Sequence, residues 1–239
     1  MTGLPHLGLY RRVTAAALVV APAGLLLANL LHPEEFGRDH EAEQLAEIAG
    51  NYTLWQAAHT IALAAVVLFA AAIAGLAFLV RRRSPGLGLA GGALGIAGLI
   101  ALGGAVALDG FTWGILGEVW GQPQVDRATA ELALNDVQQS EWNLPFYSGA
   151  AGFVIGLVLL CVGAVRQGAV PAWSGGLLAL GGLLVGLEGA VQDNAYFIVA
   201  SAVWLAGGLA VAAGIASMDD AEFAAGGPGR GPTPPPPGR

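Results

Sequence analysis

The chain contains no lysine: all ten basic residues are arginine. Schiff-base chemistry of the kind that holds retinal, and lysine-based covalent catalysis generally, are therefore excluded. Cysteine is nearly absent. The single Cys161 allows no intramolecular disulfide, no CxxC redox pair and no thiolate metal cluster. Its apolar neighbours mark it as a packing residue. Charge of either sign is scarce too, at 11% of 239 residues, where a soluble domain carries about 25%. Signature motifs of hydrolases and nucleotide-binding proteins (HExxH, GxSxG, the P-loop) are missing as well.

What is present is apolar residues (55%), glycine (37 residues) and a mean hydropathy of +0.64. A chain so poor in charge cannot keep its surface wet, so lipid must cover much of it. Glycine is costly inside a soluble helix, but small residues let helices pack closely in a bilayer. Six apolar stretches approach the roughly 20 residues that a bilayer requires: Val13–Leu31, Leu54–Val80, Leu87–Leu108, Phe146–Val165, Trp173–Val191 and Ala195–Ser217. The first is too long for a signal peptide and is followed by no small-residue cleavage site, so it reads as an uncleaved anchor. The expected fold is an all-α membrane protein, a six-helix bundle forming one domain over residues 1–217. A disordered Pro/Gly-rich tail is expected over 218–239.

Arginine placement predicts the orientation. Arg11, Arg12, Arg81, Arg82, Arg83, Arg166, Arg230 and Arg239 fall on one side, and only Arg38 and Arg127 on the other. Both termini are therefore expected in the cytoplasm of a cell (inner) membrane protein. The acids take the outer side. Glu34, Glu35, Asp39, Glu41, Glu43 and Glu47 lie in the first outer loop, and Asp109, Glu118, Asp126, Glu131, Asp136 and Glu141 follow in the second. An acidic outer face argues against nucleic acid and tolerates cations. Within the second loop a short amphipathic helix is expected at about 123–142. Its apolar side would be Val125, Ala128, Leu132, Leu134 and Val137, and Trp120 and Trp142 would anchor it at the interface.

Gly91-Gly92 through Asp109-Gly110 aligns with Gly175-Gly176 through Asp193-Asn194 at a constant displacement of 84 positions. Spans two and three then repeat spans four and five in the same direction, which predicts a pseudo-two-fold axis along the membrane normal. Gly91, Gly95 and Gly98 share one helix face, as do Gly182, Gly186 and Gly189, and both faces are expected to pack on other helices.

Few residues can carry chemistry. His6 and His40 are in solvent by position. His32 closes the first span and His59 lies about a turn inside the second, so the two are candidate metal ligands. No cofactor is required by the sequence; haem or a divalent metal is what such a histidine pair would take. Glu188 is an acid inside an apolar stretch, where such groups face the bundle and find a partner. The expected partner is His59, with Asn194 and Trp113 as the alternatives. Together His59, Asp109, Trp113, Glu118, Glu188 and Asp193 are candidates to line one outward-opening ligand pocket.

The Arg11-Arg12 helix with its proline-containing acidic loop, Leu108-Asp109-Gly110-Phe111, and the glycine-rich spans around Val170-Pro171-Ala172-Trp173 carry a likeness. Over most of residues 10 to 217 the chain resembles the small multi-pass actinobacterial membrane proteins known as domains of unknown function. The resemblance implies a helical bundle and carries no activity with it. The expected function is that of a non-catalytic accessory, sensory or small-ligand-binding protein. Its partners would be the bilayer, a small molecule or cation at the outer face, and another membrane subunit. The alternatives are a small transporter with its pathway on the pseudo-two-fold axis, and a membrane enzyme or metal protein using His59, Glu188 and Asp109.

Overall fold

The computed structural model describes residues 6–34, 40–139, 144–191 and 193–228. All regular structure among them is helical: α1 (Leu7–Leu31), α2 (Glu41–Gly50), α3 (Tyr52–Val80), α4 (Pro85–Trp120), α5 (Arg127–Gln139), α6 (Leu144–Arg166), α7 (Ala172–Gly186), α8 (Glu188–Val191), α9 (Asn194–Ala216) and α10 (Asp220–Ala225). Five of these, α1, α3, α4, α6 and α9, are long and apolar enough to cross a membrane. The chain is a multi-pass helical membrane protein.

Two expected boundaries are corrected. The stretch Trp173–Val191 is not one continuous helix. α7 has 15 residues, about 22 Å at 1.5 Å per residue, and it ends where the Leu187 amide turns back to the Leu184 and Val185 carbonyls. Glycine-rich sequence gives this end little helix propensity, and the break lets Glu188 meet a polar partner on α1. The third apolar stretch, by contrast, does not stop at Leu108. α4 runs for 36 residues to Trp120, about 54 Å, because nothing interrupts it before Gly121 and Pro123. Asp109 is thus mid-helix, and α4 is longer than a bilayer core of about 30 Å.

The six large helices close a ring. α1 packs on α3, α3 on α4, α4 on α6, α6 on α7, α7 on α9, and α9 back on α1. Each neighbouring pair is antiparallel, so α3, α6 and α9 run the same way. Their Phe69, Phe153 and Trp204 are all buried and meet as a triad, with ring centroids 4.4 to 5.8 Å apart. Phe69 and Phe153 are separated by the same 84 positions as the glycine repeat. Moving from α3 and α4 to α6 and α7 advances two places in that ring, and α1–α3, α4–α6 and α7–α9 are successive antiparallel hairpins. The aromatic triad lies between α3, α6 and α9.

Glycine sets the hairpin spacing. A Cβ on Gly98 would collide with the Phe153 backbone, and one on Gly156 with the Gly95 backbone. The same kind of approach recurs where Gly181 meets the Trp204 backbone and Gly207 meets the Leu178 backbone. The glycine faces expected to pack on helices do so at Gly91, Gly95, Gly98 and Gly182, all buried, and at Gly186, which lies against Val154. The side of Gly189 lies outside the described residues. Where α1 meets α9, Gly208 sits on the Leu18 carbonyl, the group that Pro22 leaves without its helical donor.

At the arginine-bearing end, the tail expected to be disordered from 218 instead begins with α10. A capping box between Asp219 and Glu222 starts it. Phe223 is fully buried beneath Tyr10 and Phe78. Arg11 Nε bonds Asp220 at 3.0 Å, and Arg83 donates to the carbonyls of Gln167 (3.0 Å) and Gly227 (3.3 Å). The difference arises because one aromatic residue supplies the apolar anchor that a proline- and glycine-rich composition hides. The tail beyond residue 228 lies outside the described residues.

The glycine contacts make a direct test. Gly98→Ala and Gly181→Ala each press a methyl group into backbone that cannot yield, at an expected cost of about 1–3 kcal/mol. A methyl group added at Gly104 would meet nothing within 4 Å, so Gly104→Ala should be neutral or slightly stabilising. Thermal melting of the three variants in detergent measures this; three equal melting points would refute backbone contact.

Candidate functional site

At the opposite, acidic end, three large helices bring polar side chains together. Trp55 and His59 are four residues apart on α3 and so share a face. Asp109 and Trp113 have the same spacing on α4, and His32 is the first residue beyond α1. Gly110 and Gly114 bring α4 close: side chains there would strike the rings of His59 and Trp55. Trp55 is fully buried and its Nε1 donates to the Gly110 carbonyl at 3.1 Å. Its ring lies 4.4 Å from that of His59, 4.8 Å from that of His32 and 6.0 Å from that of Trp113, with which it stacks. The two histidine rings are 5.0 Å apart.

His59 faces two acceptors. Its Nδ1 is 2.9 Å from the Trp55 carbonyl and its Nε2 is 3.2 Å from Asp109 Oδ2. A carbonyl only accepts, so Nδ1 carries a hydrogen. With Nδ1 so engaged, Nε2 donates to Asp109 when His59 is protonated. His59 is 11% exposed and Asp109 38%, so the pair is anchored within the bundle and reachable from its rim.

A second polar cluster joins α1 to α9. Asn29 Nδ2 lies 2.8 Å from Ser201 Oγ, 3.2 Å from the Phe197 carbonyl and 3.4 Å from Glu188 Oε1. The Pro33 carbonyl links the two clusters: it accepts from His32 Nδ1 at 2.8 Å and from Asn194 Nδ2 at 3.0 Å. Tyr196 donates its hydroxyl to the Leu184 carbonyl at 2.8 Å, beside the α7 break.

The six predicted pocket residues therefore divide. His59, Asp109 and Trp113 converge, with His32 beside them. Glu118 stands further out on α4, bonded to the Tyr52 hydroxyl. Asp193 caps α9 by accepting from the Tyr196 amide at 2.7 Å. Glu188 Oε1 lies 3.4 Å from Asn29 Nδ2, and the continuous α4 carries Asp109 across to His59. As for the metal reading, the rings of His32 and His59 are adjacent. No three His, Cys, Asp or Glu side chains are grouped to hold a metal ion among the described residues. Sequence reasoning missed Trp55, Asn29 and Ser201. Trp55 was legible as the i−4 neighbour of His59, and Asn29 as an amide inside an apolar run.

Above the site, α2 and α5 form a cap on the protruding end of α4. Leu45, Ala130 and Leu134 are buried against Trp113, Leu116 and Trp120. Gly117 gives α2 room by accepting Ile48. Asn135 bonds Glu41 at 3.0 Å, Trp120 Nε1 bonds Glu131 at 3.2 Å, and Arg127 lies 4.4 Å over the Trp120 ring. The short helix expected at about 123–142 starts at Arg127, and residues 140–142 lie outside the described residues. Its packed face is Ala130 and Leu134 rather than the face containing Leu132, which is 62% exposed. The difference arises because its partner is α2, a helix not expected from the sequence.

Two apolar grooves complete the surface. One, of about 350 Å³, lies between α6 and α7 around Tyr147, Val154, Leu183 and Leu187. The other, of about 530 Å³, lies between α3 and α4 around Ala77, Gly88, Gly92 and Ile96. Neither includes a predicted ligand residue.

Burial, and then the charge on His59, push the His32 imidazole down to about 4 from an ordinary 6.5. A depressed histidine favours its neutral form in the folded state. Its contribution is therefore complete above pH 6.5 and is lost as pH falls through the window from 6.5 to about 4. Acidification across that window should lower stability by up to about 3 kcal/mol through this group. His32→Gln should flatten that part of a melting-temperature profile; an unchanged acid limb would exclude His32 as its source.

No curated protein and no solved structure matches the chain. A family model does. It matches residues 13–218, from the second turn of α1 to just past α9, and so covers every helix that builds the site. The chain belongs to the family described as a domain of unknown function, DUF4386.

Proposed function

We propose that this is a non-catalytic membrane protein that binds a small organic cation at its outer face, with Asp109 and His59 as the recognising pair. The observation that carries the proposal is the His59–Asp109 hydrogen bond at the rim of the bundle. It supplies a partly exposed carboxylate held beside an imidazole. Trp113 and Trp55 provide aromatic surface of the kind that attracts cations, and acidic residues of α2 and α5 surround the approach. Glu118 adds a carboxylate further out. Glu188, Asp193 and the histidine pair as a metal site are not needed by this function.

Six crossings and two cytoplasmic termini fit this function, with α7 and α8 together making the fifth crossing. The three hairpins then descend from a duplicated unit, with the 84-position displacement as its trace. Arginine asymmetry supports the orientation, and α10 closes the cytoplasmic end. A reporter active only outside the cytoplasm should work when fused after residue 40 or residue 130 and fail after Arg82 or Arg166. Activity of the Arg82 fusion would invert the topology.

One observation favours transport as the second reading: the break between α7 and α8, since interrupted helices line many substrate sites. A route would then pass beside the aromatic triad, between hairpins, instead of along the axis.

The binding proposal is tested by melting the purified protein with millimolar tetramethylammonium, amidinium and polyamine salts against matched sodium chloride. At least one should raise the melting temperature by about 3 °C, and Asp109→Asn or His59→Gln should abolish the rise. No response across the panel, or a response retained in Asp109→Asn, would refute it.

A further inference from the structure

Arg81 and Arg82 stand at one end of an apolar groove and have no ion-pair partner among the described residues. The groove, of about 530 Å³, runs along the surface of the bundle between α3 and α4. It is lined by small residues, among them Ala77 of α3 and Gly88, Gly92 and Ala97 of α4, together with Leu89 and Ile100, which are 77% and 72% exposed. The stretch from Gly88 to Ile100 spans about 18 Å of helix. Half of a bilayer core is about 15 Å, so the groove has the depth of one leaflet.

The arginine end of the groove is cationic by construction. A Cβ on Gly88 would lie 3.0 Å from the Arg81 backbone, so the groove opens directly beside that residue. The Arg81 side chain folds back: its guanidinium lies over the Phe78 ring, 3.2 Å from the centroid, and Nη1 donates to the Phe78 carbonyl. It is thereby held at the level of the last turn of α3, on the bilayer side. Arg82 beside it is exposed. Partial burial, and then the charge of Arg82, pull the Arg81 guanidinium below its ordinary value, and an anion next to both would offset this. α4 begins in the same turn. Its first amides have no side-chain cap and no helical carbonyl behind them, and a Cβ on Gly86 would meet nothing within 4 Å. The positive end of the α4 dipole therefore adds to the two guanidinium charges.

We infer that the α3–α4 groove binds a phospholipid of net negative headgroup from the leaflet on the arginine side. One acyl chain lies along Ala77, Gly92 and Ala97, and the phosphate meets Arg81, Arg82 and the start of α4. Arginine matches phosphate in geometry as well as in charge, and paired basic residues at a membrane surface favour anionic lipid. A zwitterionic headgroup brings a cation of its own, which two guanidinium groups repel. The site shares no residue with the His59–Asp109 pair and stands whether or not that pair binds an organic cation.

The test uses the full chain, purified in detergent, with phosphatidylglycerol or phosphatidylcholine of the same acyl chains added to the micelles in equal amount. Phosphatidylglycerol should raise the melting temperature by about 3 °C more than phosphatidylcholine does. Glycerol phosphate, which carries the headgroup charge without the chains, should give no rise at the same concentration. Ala97 and Arg82 are both exposed, so changes there should leave the fold intact. Ala97→Phe puts a ring into the groove and should abolish the difference between the two lipids, and Arg82→Gln should at least halve it. Arg166→Gln, an exposed arginine that does not line the groove, should leave the difference unchanged, as should Asp109→Asn. Equal melting in the two lipids would overturn the inference, and so would a difference that survives Ala97→Phe or Arg82→Gln in full. A loss as large in Arg166→Gln as in Arg82→Gln would mark general surface charge, and an equal rise with glycerol phosphate a free anion; either result would overturn it too.

Discussion

The bundle depends on backbone touching backbone. In lipid there is no hydrophobic drive to bring helices together, so close van der Waals contact must do it. Gly98 against Phe153, Gly95 against Gly156, Gly181 against Trp204, Gly207 against Leu178 and Gly208 against Leu18 are places where a single methyl group would force helices apart. These contacts draw the hairpins in until Phe69, Phe153 and Trp204 meet on the axis. The same device works at the acidic end. Gly110 and Gly114 bring α4 onto His59 and Trp55, and without that approach Asp109 would not reach the imidazole.

The two ends of the bundle are built differently. At the arginine end, backbone carbonyls and a buried phenylalanine hold the chain shut through Arg11, Arg83 and Phe223. At the acidic end, side chains bond to one another and to backbone carbonyls both inside helices and beyond them. Polar groups with adjustable partners are gathered on one side and fixed ones on the other. That contrast is a physical reason to seek ligand chemistry at the acidic end.

Much of this was legible in the sequence, though unevenly. Apolar runs revealed α1, α3, α6 and α9 because length and hydropathy are what a bilayer selects. They misjudged α4 and α7 because hydropathy does not register where a helix stops. Asp109 interrupts an apolar run without interrupting the helix, whereas Leu187 continues the run while the helix ends. The displacement of 84 positions was visible, but the order in which the helices neighbour one another was not, because matched segments do not reveal what each helix packs on. The proximity of His32 to His59 was readable from depth along two joined helices. The contact of Asp109 with His59 depends on how α4 is rotated, which no spacing within α3 reveals. Likewise α5 buries Ala130 and Leu134 because α2 lies beside it.

The Pro33 carbonyl accepts from both His32 and Asn194. Two donors on one oxygen compete for its electron density, so strengthening either bond weakens the other. Any event that moves His32 is consequently felt at the first turn of α9, and any shift of α9 returns to the imidazole, by thermodynamic reciprocity. The carbonyl of one residue thus acts as a balance beam between the histidine cluster and the Asn29 cluster.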